Sequence, residues 1–153
     1  MSTRIYFFII LISVACLIIA ASVVGVRRYN TNHFSCNGIC SASYNNIMLH
    51  ANARITFFGG EGTVVLRGVL ENKSKKISNL VLSTMFSFEK MNDSFVLTAT
   101  KNTVEMNQEK EMLKNILPEF YYKKGIDVIY DIYPQGNDYL FVRGGIPVFM
   151  CRR

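Results

Sequence analysis

The chain has 153 residues, 17 of them basic and 11 acidic, for a net charge of +6, and half of its residues are hydrophobic. That length suits one ordinary domain able to bury a core without help. The basic residues are scattered rather than striped, and no helix-turn-helix or aromatic-basic RNA motif occurs, so direct nucleic-acid binding is not expected.

In chain order, a stub of residues 1–4 precedes IYFFIILISVACLIIAASVVGV, the run from Ile5 to Val26, which carries no charge. At about 1.5 Å of rise per residue it makes roughly 33 Å of helix, enough to cross a hydrocarbon core. A cleaved signal peptide needs a shorter apolar stretch of about 7–15 residues followed by polar sequence, whereas the run here stays apolar through Val26. Cys16 follows ISVA, a faint likeness to a lipobox, but Ser13 stands where a large aliphatic residue is preferred. Residues 5–26 therefore read as an uncleaved anchor, with Cys16 a small apolar residue in lipid. Within it, Ala21-x-x-x-Gly25 is a small-xxx-small pair against which a second helix would pack closely. Arg4 on one side and Arg27 and Arg28 on the other nearly balance, so charge alone does not orient the span.

Residues 27–44 read as a juxtamembrane linker and 45–153 as a β-rich domain. NIMLHANARITFF alternates, with Ile47, Leu49, Ala51, Ala53, Ile55 and Phe57 on one face and Asn46, His50, Asn52, Arg54 and Thr56 on the other. GGEG at 59–62 supplies the positive φ of a hairpin turn before TVVLRGVL. KSKK at 73–76 reads as a solvated turn. It leads into a strand with Leu80, Leu82, Thr84, Phe86 and Phe88 together, and after MND a further strand aligns Phe95, Leu97 and Ala99. The period then changes: Glu109, Leu113 and Leu117, with Met112 and Ile116 beside them, predict a short helix that Pro118 ends. IDVIYDIY, YLFVR and IPVFMC return to strand. Six or seven antiparallel strands and one helix predict an α+β domain, a meander or partial barrel whose open sheet edges would suit pairing with another β domain.

Cys36, Cys40 and Cys151 suit an oxidising compartment, which puts the domain outside and the N-terminus in the cytoplasm. Cys36-x-x-x-Cys40 has the wrong spacing for a zinc knuckle, and His33 and His50 would have to complete such a site. There is no Cys-x-x-Cys, G-x-S-x-G, H-E-x-x-H or phosphate loop, and Asp127 and Asp131 alternate onto a polar strand face. No enzyme activity, metal or cofactor is therefore expected. His50 is the one strand residue placed to titrate near neutral pH as a sensor, against the plainer reading of an exposed strand position. Three cysteines allow three single bridges: Cys40 to Cys151 would close a loop worth on the order of 4–5 kcal/mol, whereas Cys36 to Cys40 would stabilise little. Whichever forms, one thiol is left over.

GEGTVVLRGVL and the stretch LPEFYYKKGIDVIYDIYPQGNDYLFVRGGIPVFMC, set behind a short stub, one span and an early cysteine, resemble the FidL-like membrane proteins of enteric bacteria. These look like accessory partners of the ToxS kind. The resemblance implies a single-pass inner-membrane protein with a periplasmic, partly lipocalin-like barrel. That barrel would bind a ToxR-like membrane-bound winged-helix transcriptional regulator and stabilise it or help it sense a signal. It also implies an amphipathic small ligand as a further partner, and a bridge between the terminal cysteine and the one before the first strand, here Cys40 with Cys151. Cys36 is a departure from that pattern and the alternative partner. The competing reading is a self-contained, membrane-anchored periplasmic domain that binds a small ligand by itself.

Overall fold

The computed structural model describes residues 2–72, 75–92, 94–106 and 110–153, with the backbone alone at 2–5, 27, 28, 30, 31, 76, 106 and 110–112. Most of the basic turn at 73–76, Asp93 of the next turn, Glu109, and the Arg4, Arg27, Arg28 and Met112 side chains lie outside what is described. Two compact units result, Met1–His33 and Phe34–Arg153.

The first is a single helix, α1, Ser2–Asn32. Its window Tyr6–Val26 is long and apolar enough to cross a membrane, and none of it is buried within the protein. Apolar side chains project all round, as on a helix whose solvent is lipid. The hydroxyls within it are satisfied locally: Ser13 Oγ donates to the Ile9 carbonyl (2.9 Å) and Ser22 Oγ to that of Ile18 (2.8 Å).

The second unit is a closed barrel of eight antiparallel strands. They are β1 (His33–Tyr44), β2 (Ile47–Phe58), β3 (Glu61–Asn72), β4 (Lys75–Met91), β5 (Ser94–Met106), β6 (Asp127–Gln135), β7 (Asp138–Arg143) and β8 (Ile146–Arg152). Each strand pairs with its successor, and β8 closes on β1 through Asn37 with Arg152 and Gly38 with Cys151. Two expectations change. The linker at 33–44 is in fact β1: its inward positions are Phe34, Cys36, Gly38 and Cys40, too small and mixed to show an apolar period of two. With that extra strand the meander closes instead of stopping as a partial barrel, so the two end strands expected to be open for partner pairing, β1 and β8, pair with each other.

The inward residues expected on β2, β4 and β5 are the ones that build the core: Leu49 to Phe57 at alternate positions, Leu80 to Phe88, and Phe95, Leu97 and Ala99 are buried. Tight turns drive the hairpins, with positive φ at Asn45 and Asn46 and at Gly59 and Gly60. Phenylalanine rings fill the barrel. Phe57, 1% exposed, meets Phe34, Phe86, Phe88, Phe95 and Phe141 at centroid distances of 4.5–6.4 Å.

β5 pairs with β6 only along Ser94–Thr98. Beyond that, the connection takes β6's place, as α2 (Lys110–Ile116) and a 3₁₀ turn (Glu119–Tyr121) send Leu113, Leu117 and Phe120 into the core. Polar groups pin the turn. Thr84 Oγ1 donates to the Tyr121 carbonyl (3.1 Å), and Asn102 Nδ2 donates to Thr84 Oγ1 (3.1 Å) and the Phe120 carbonyl (2.9 Å).

Close strand approach also depends on Gly68, where a Cβ would collide with the His50 carbonyl and with Ala51. Gly68→Ala is expected to destabilise the barrel by about 2 kcal/mol, because backbone rather than a flexible side-chain tip is in the way. Thermal unfolding of the full chain in detergent measures it, and an unchanged midpoint would show that the two strands are spaced more widely here.

Candidate docking groove

The outer face of the barrel holds a concave site where β8, β1, β2 and β3 run side by side. Two side-chain pairs fix β1 against β2, Ser35 Oγ with Thr56 Oγ1 (3.1 Å) and Ser41 Oγ with His50 Nδ1 (3.3 Å). This register sets Asn37 beside Arg54 and Ile39 beside Asn52. Continuing outward, Arg54 pairs with Val65 and Asn52 with Arg67, while Asn37 pairs with Arg152. The result is a groove of about 950 Å³ whose lining includes Ile39, Met150, Arg54, Arg67 and Arg152 and no acidic residue.

Its apolar floor continues sideways. Tyr133 pairs with Leu140, Leu140 with Met150, and the β8–β1 register brings Ile39 next, so one row crosses four strands. Ile39 is 75% and Met150 48% exposed, and Ile146 and Val148 on β8 are also open to water. Exposed apolar side chains connected in a row on an outer barrel face are the kind of feature found at interaction sites. The guanidinium groups of Arg54, Arg67 and Arg152 make no ion pair among the described residues. At about 4.8 Å between neighbouring strands, Arg152 and Arg54 stand about 10 Å apart, so they suit separate carboxylates rather than one.

The sequence-derived site residues fall elsewhere or on the edge of this groove. His50 is exposed on β2, against Ser41. Asp127 and Asp131 lie on the outer face of β6, Asp131 accepting from Ser94 Oγ at 2.5 Å. Ala21 and Gly25 lie one turn apart on α1, with no atom within 4 Å of where a Cβ on Gly25 would stand. No group of three metal-ligating side chains occurs among the described residues.

The disulfide expectation is corrected. Cys151 is bonded to Cys36, with 5.3 Å between Cα atoms, and Cys40 is a half-buried free thiol. The reason lies in closure of the barrel: β8 pairs with β1 at Asn37 and Gly38 and brings Cys151 within bridging distance of Cys36, a neighbour that order along the chain does not reveal. Cys40 sits by a pair of phenols. Burial holds Tyr121 well above its ordinary pKa range, reinforced by Tyr130 next to it, and burial also raises Tyr130 and the Cys40 thiol. All three are therefore held neutral near physiological pH.

Sequence reasoning placed Arg54 and Asn52 on an outward face but did not single them out. Arg67, Arg152, Ile39 and Met150 were missed; the signal available was the alternation of IPVFMCR, with Ile146, Val148 and Met150 opposite the inward cysteine. Among known proteins, a family model described as the YqeJ C-terminal domain matches residues 38–151. No curated protein and no solved structure matches the chain.

Proposed function

The chain belongs to the YqeJ C-terminal domain family, and from that premise we propose that it is a single-pass membrane protein whose external barrel docks a second membrane protein. In this reading the N-terminus is cytoplasmic and the barrel periplasmic, which suits the disulfide between Cys36 and Cys151. The partner is the periplasmic domain of a ToxR-like winged-helix regulator, as the FidL-like and ToxS-like resemblance implies, and docking stabilises it or assists its sensing. The observation that carries the proposal is the groove: an exposed apolar row continuous with three arginines that make no ion pair among the described residues. Such a surface favours a partner face with an apolar ridge flanked by carboxylates. With β1 and β8 closed on each other, the side chains of the groove rather than a terminal strand edge offer the docking surface.

The test is capture of the tagged full-length chain from membranes, comparing wild type with the double variant Arg54→Glu, Arg152→Glu. Wild type is expected to recover a single-span protein with a cytoplasmic winged helix, and the charge reversal to reduce recovery at least tenfold without changing the amount of folded chain. Equal recovery from both would remove the groove from the interface, and absence of such a regulator from the wild-type capture would sink the proposal. The same arginines over an apolar floor also have the chemistry for an amphipathic anion. Saturable binding of one by the chain alone, lost in the same variant, would select the self-contained ligand-binding reading.

A further inference from the structure

Every second residue of β6 points outward, so Asp127, Ile129 and Asp131 form one ridge on the outer face of the barrel. Ile129 is 55% exposed, and Asp127 is open to water. Opposite them stand Thr98, Val96 and Ser94 on β5, and Val142 on β7 faces Asp131, so no basic side chain is in register with either carboxylate. Neither carboxylate makes an ion pair among the described residues, and Asp131 accepts instead from Ser94. At about 3.3 Å per residue the two stand about 13 Å apart, one on each side of Ile129.

The groove is the inverse of this ridge. It sets Arg152 and Arg54 about 10 Å apart, with Ile39 and Met150 beside them and no acidic residue in its lining. Arginine rotamers take up the difference between the two spacings. Within one barrel the ridge and the groove face different ways, because β7 and β8 separate β6 from β1. A ridge that fills the groove therefore belongs to another chain.

From this complementarity we infer that the groove takes a second copy of the same chain, whose β6 ridge enters it head to tail. Asp127 and Asp131 of one copy meet Arg152 and Arg54 of the other, and Ile129 covers Ile39 and Met150. The charge pairs fix orientation and partner choice, while the apolar contact is the part removed from water. Two different surfaces meet, so the contact is heterologous: each copy added covers one groove and presents another, and an open row keeps its last groove free. A ridge one strand wide buries little area, which places the contact among weak, transient interfaces that a tighter partner displaces. Self-association of this kind rests on the reading of the groove as a docking surface and deepens it, since a copy of the chain and a regulator then compete for the same arginines.

The test uses the full-length chain alone, in detergent, and needs no regulator. Light scattering follows the protein mass per particle from about 1 to 100 μM for wild type, for the groove variant Arg54→Glu, Arg152→Glu, and for the ridge variant Asp127→Arg, Asp131→Arg. Wild type is expected to grow with concentration beyond two chains, and in about 0.5 M salt the same growth should need about tenfold more protein. Each variant alone is expected to stay a single chain. An equimolar mixture of the two should form pairs and stop there, because each pair holds one intact groove and one intact ridge. Asp131 also accepts from Ser94, so Asp127→Arg alone serves as the ridge variant where the double substitution weakens the near-ultraviolet circular dichroism of the barrel. A wild type that remains a single chain throughout would overturn the inference. So would growth that persists in either variant, which assigns it to α1 or another face, and so would a mixture that stays unpaired. Capture of a regulator is read separately: a chain that docks a regulator but never itself leaves only the docking proposal standing, and one that docks itself but no regulator leaves only this one.

Discussion

Cys151→Ala is expected to cost the barrel about 5 kcal/mol and to lower its unfolding temperature by about 20 °C. The magnitude comes from loop closure: the bridge spans a sequence separation of 115. Without it the unfolded chain regains the entropy of a loop almost as long as the domain. The bridge also ties β1 to β8, the closing seam, where Asn37 pairs with Arg152 and Gly38 with Cys151. Cys36→Ser removes the same bridge and should lose about as much, because Cys36 is the residue within bridging distance of Cys151 and Cys40 stands four residues farther along β1. Scanning calorimetry of both variants, with non-reducing gels to confirm the thiols, measures it. Equal small losses would mean that the bridge contributes little to a barrel already closed by packing.

Whether a strand could be read from the sequence depended on what occupied its inward positions. On β2, six apolar residues at alternate positions from Ile47 to Phe57 left no other reading, and the structure buries five of them and half-buries Ile47. The same holds for Leu80 to Phe88 on β4. β1 escaped because its inward residues include a glycine and two cysteines, whose burial is dictated by a neighbour that arrives more than a hundred residues later. Closure of the barrel is similarly non-local, since no short window contains both β1 and β8. The groove inherits this difficulty: Arg54 and Arg67 belong to one hairpin, but Ile39 and Met150 join them only across the closing seam. The apolar helix α1 was the opposite case, because an uncharged run long enough to cross a hydrocarbon core is legible within one short window.

Phe57→Ala is expected to destabilise the barrel by about 3–5 kcal/mol, while Phe58→Ala one residue away should change it by about 1 kcal/mol or less. The two residues are chemically identical and adjacent on β2, so propensity and backbone entropy cancel in the comparison. What differs is the face. Phe57 stands among five other rings along the barrel axis, and truncating it leaves a cavity lined by Phe34, Phe86, Phe88, Phe95 and Phe141. Those rings come from β1, β4, β5 and β7, so relaxation into the space would have to move several strands that pair on both sides. Phe58 keeps 70% of its surface in water whatever it touches, and little is lost when it is cut back. At the entropy expected for a domain near this size, the contrast amounts to roughly 10–20 °C in unfolding temperature. Near-ultraviolet circular dichroism, in which the packed aromatic rings report directly, follows both variants. A reversed order of effects would mean that β2 is slipped by one residue against β3, since a single step in register exchanges the two faces of the strand.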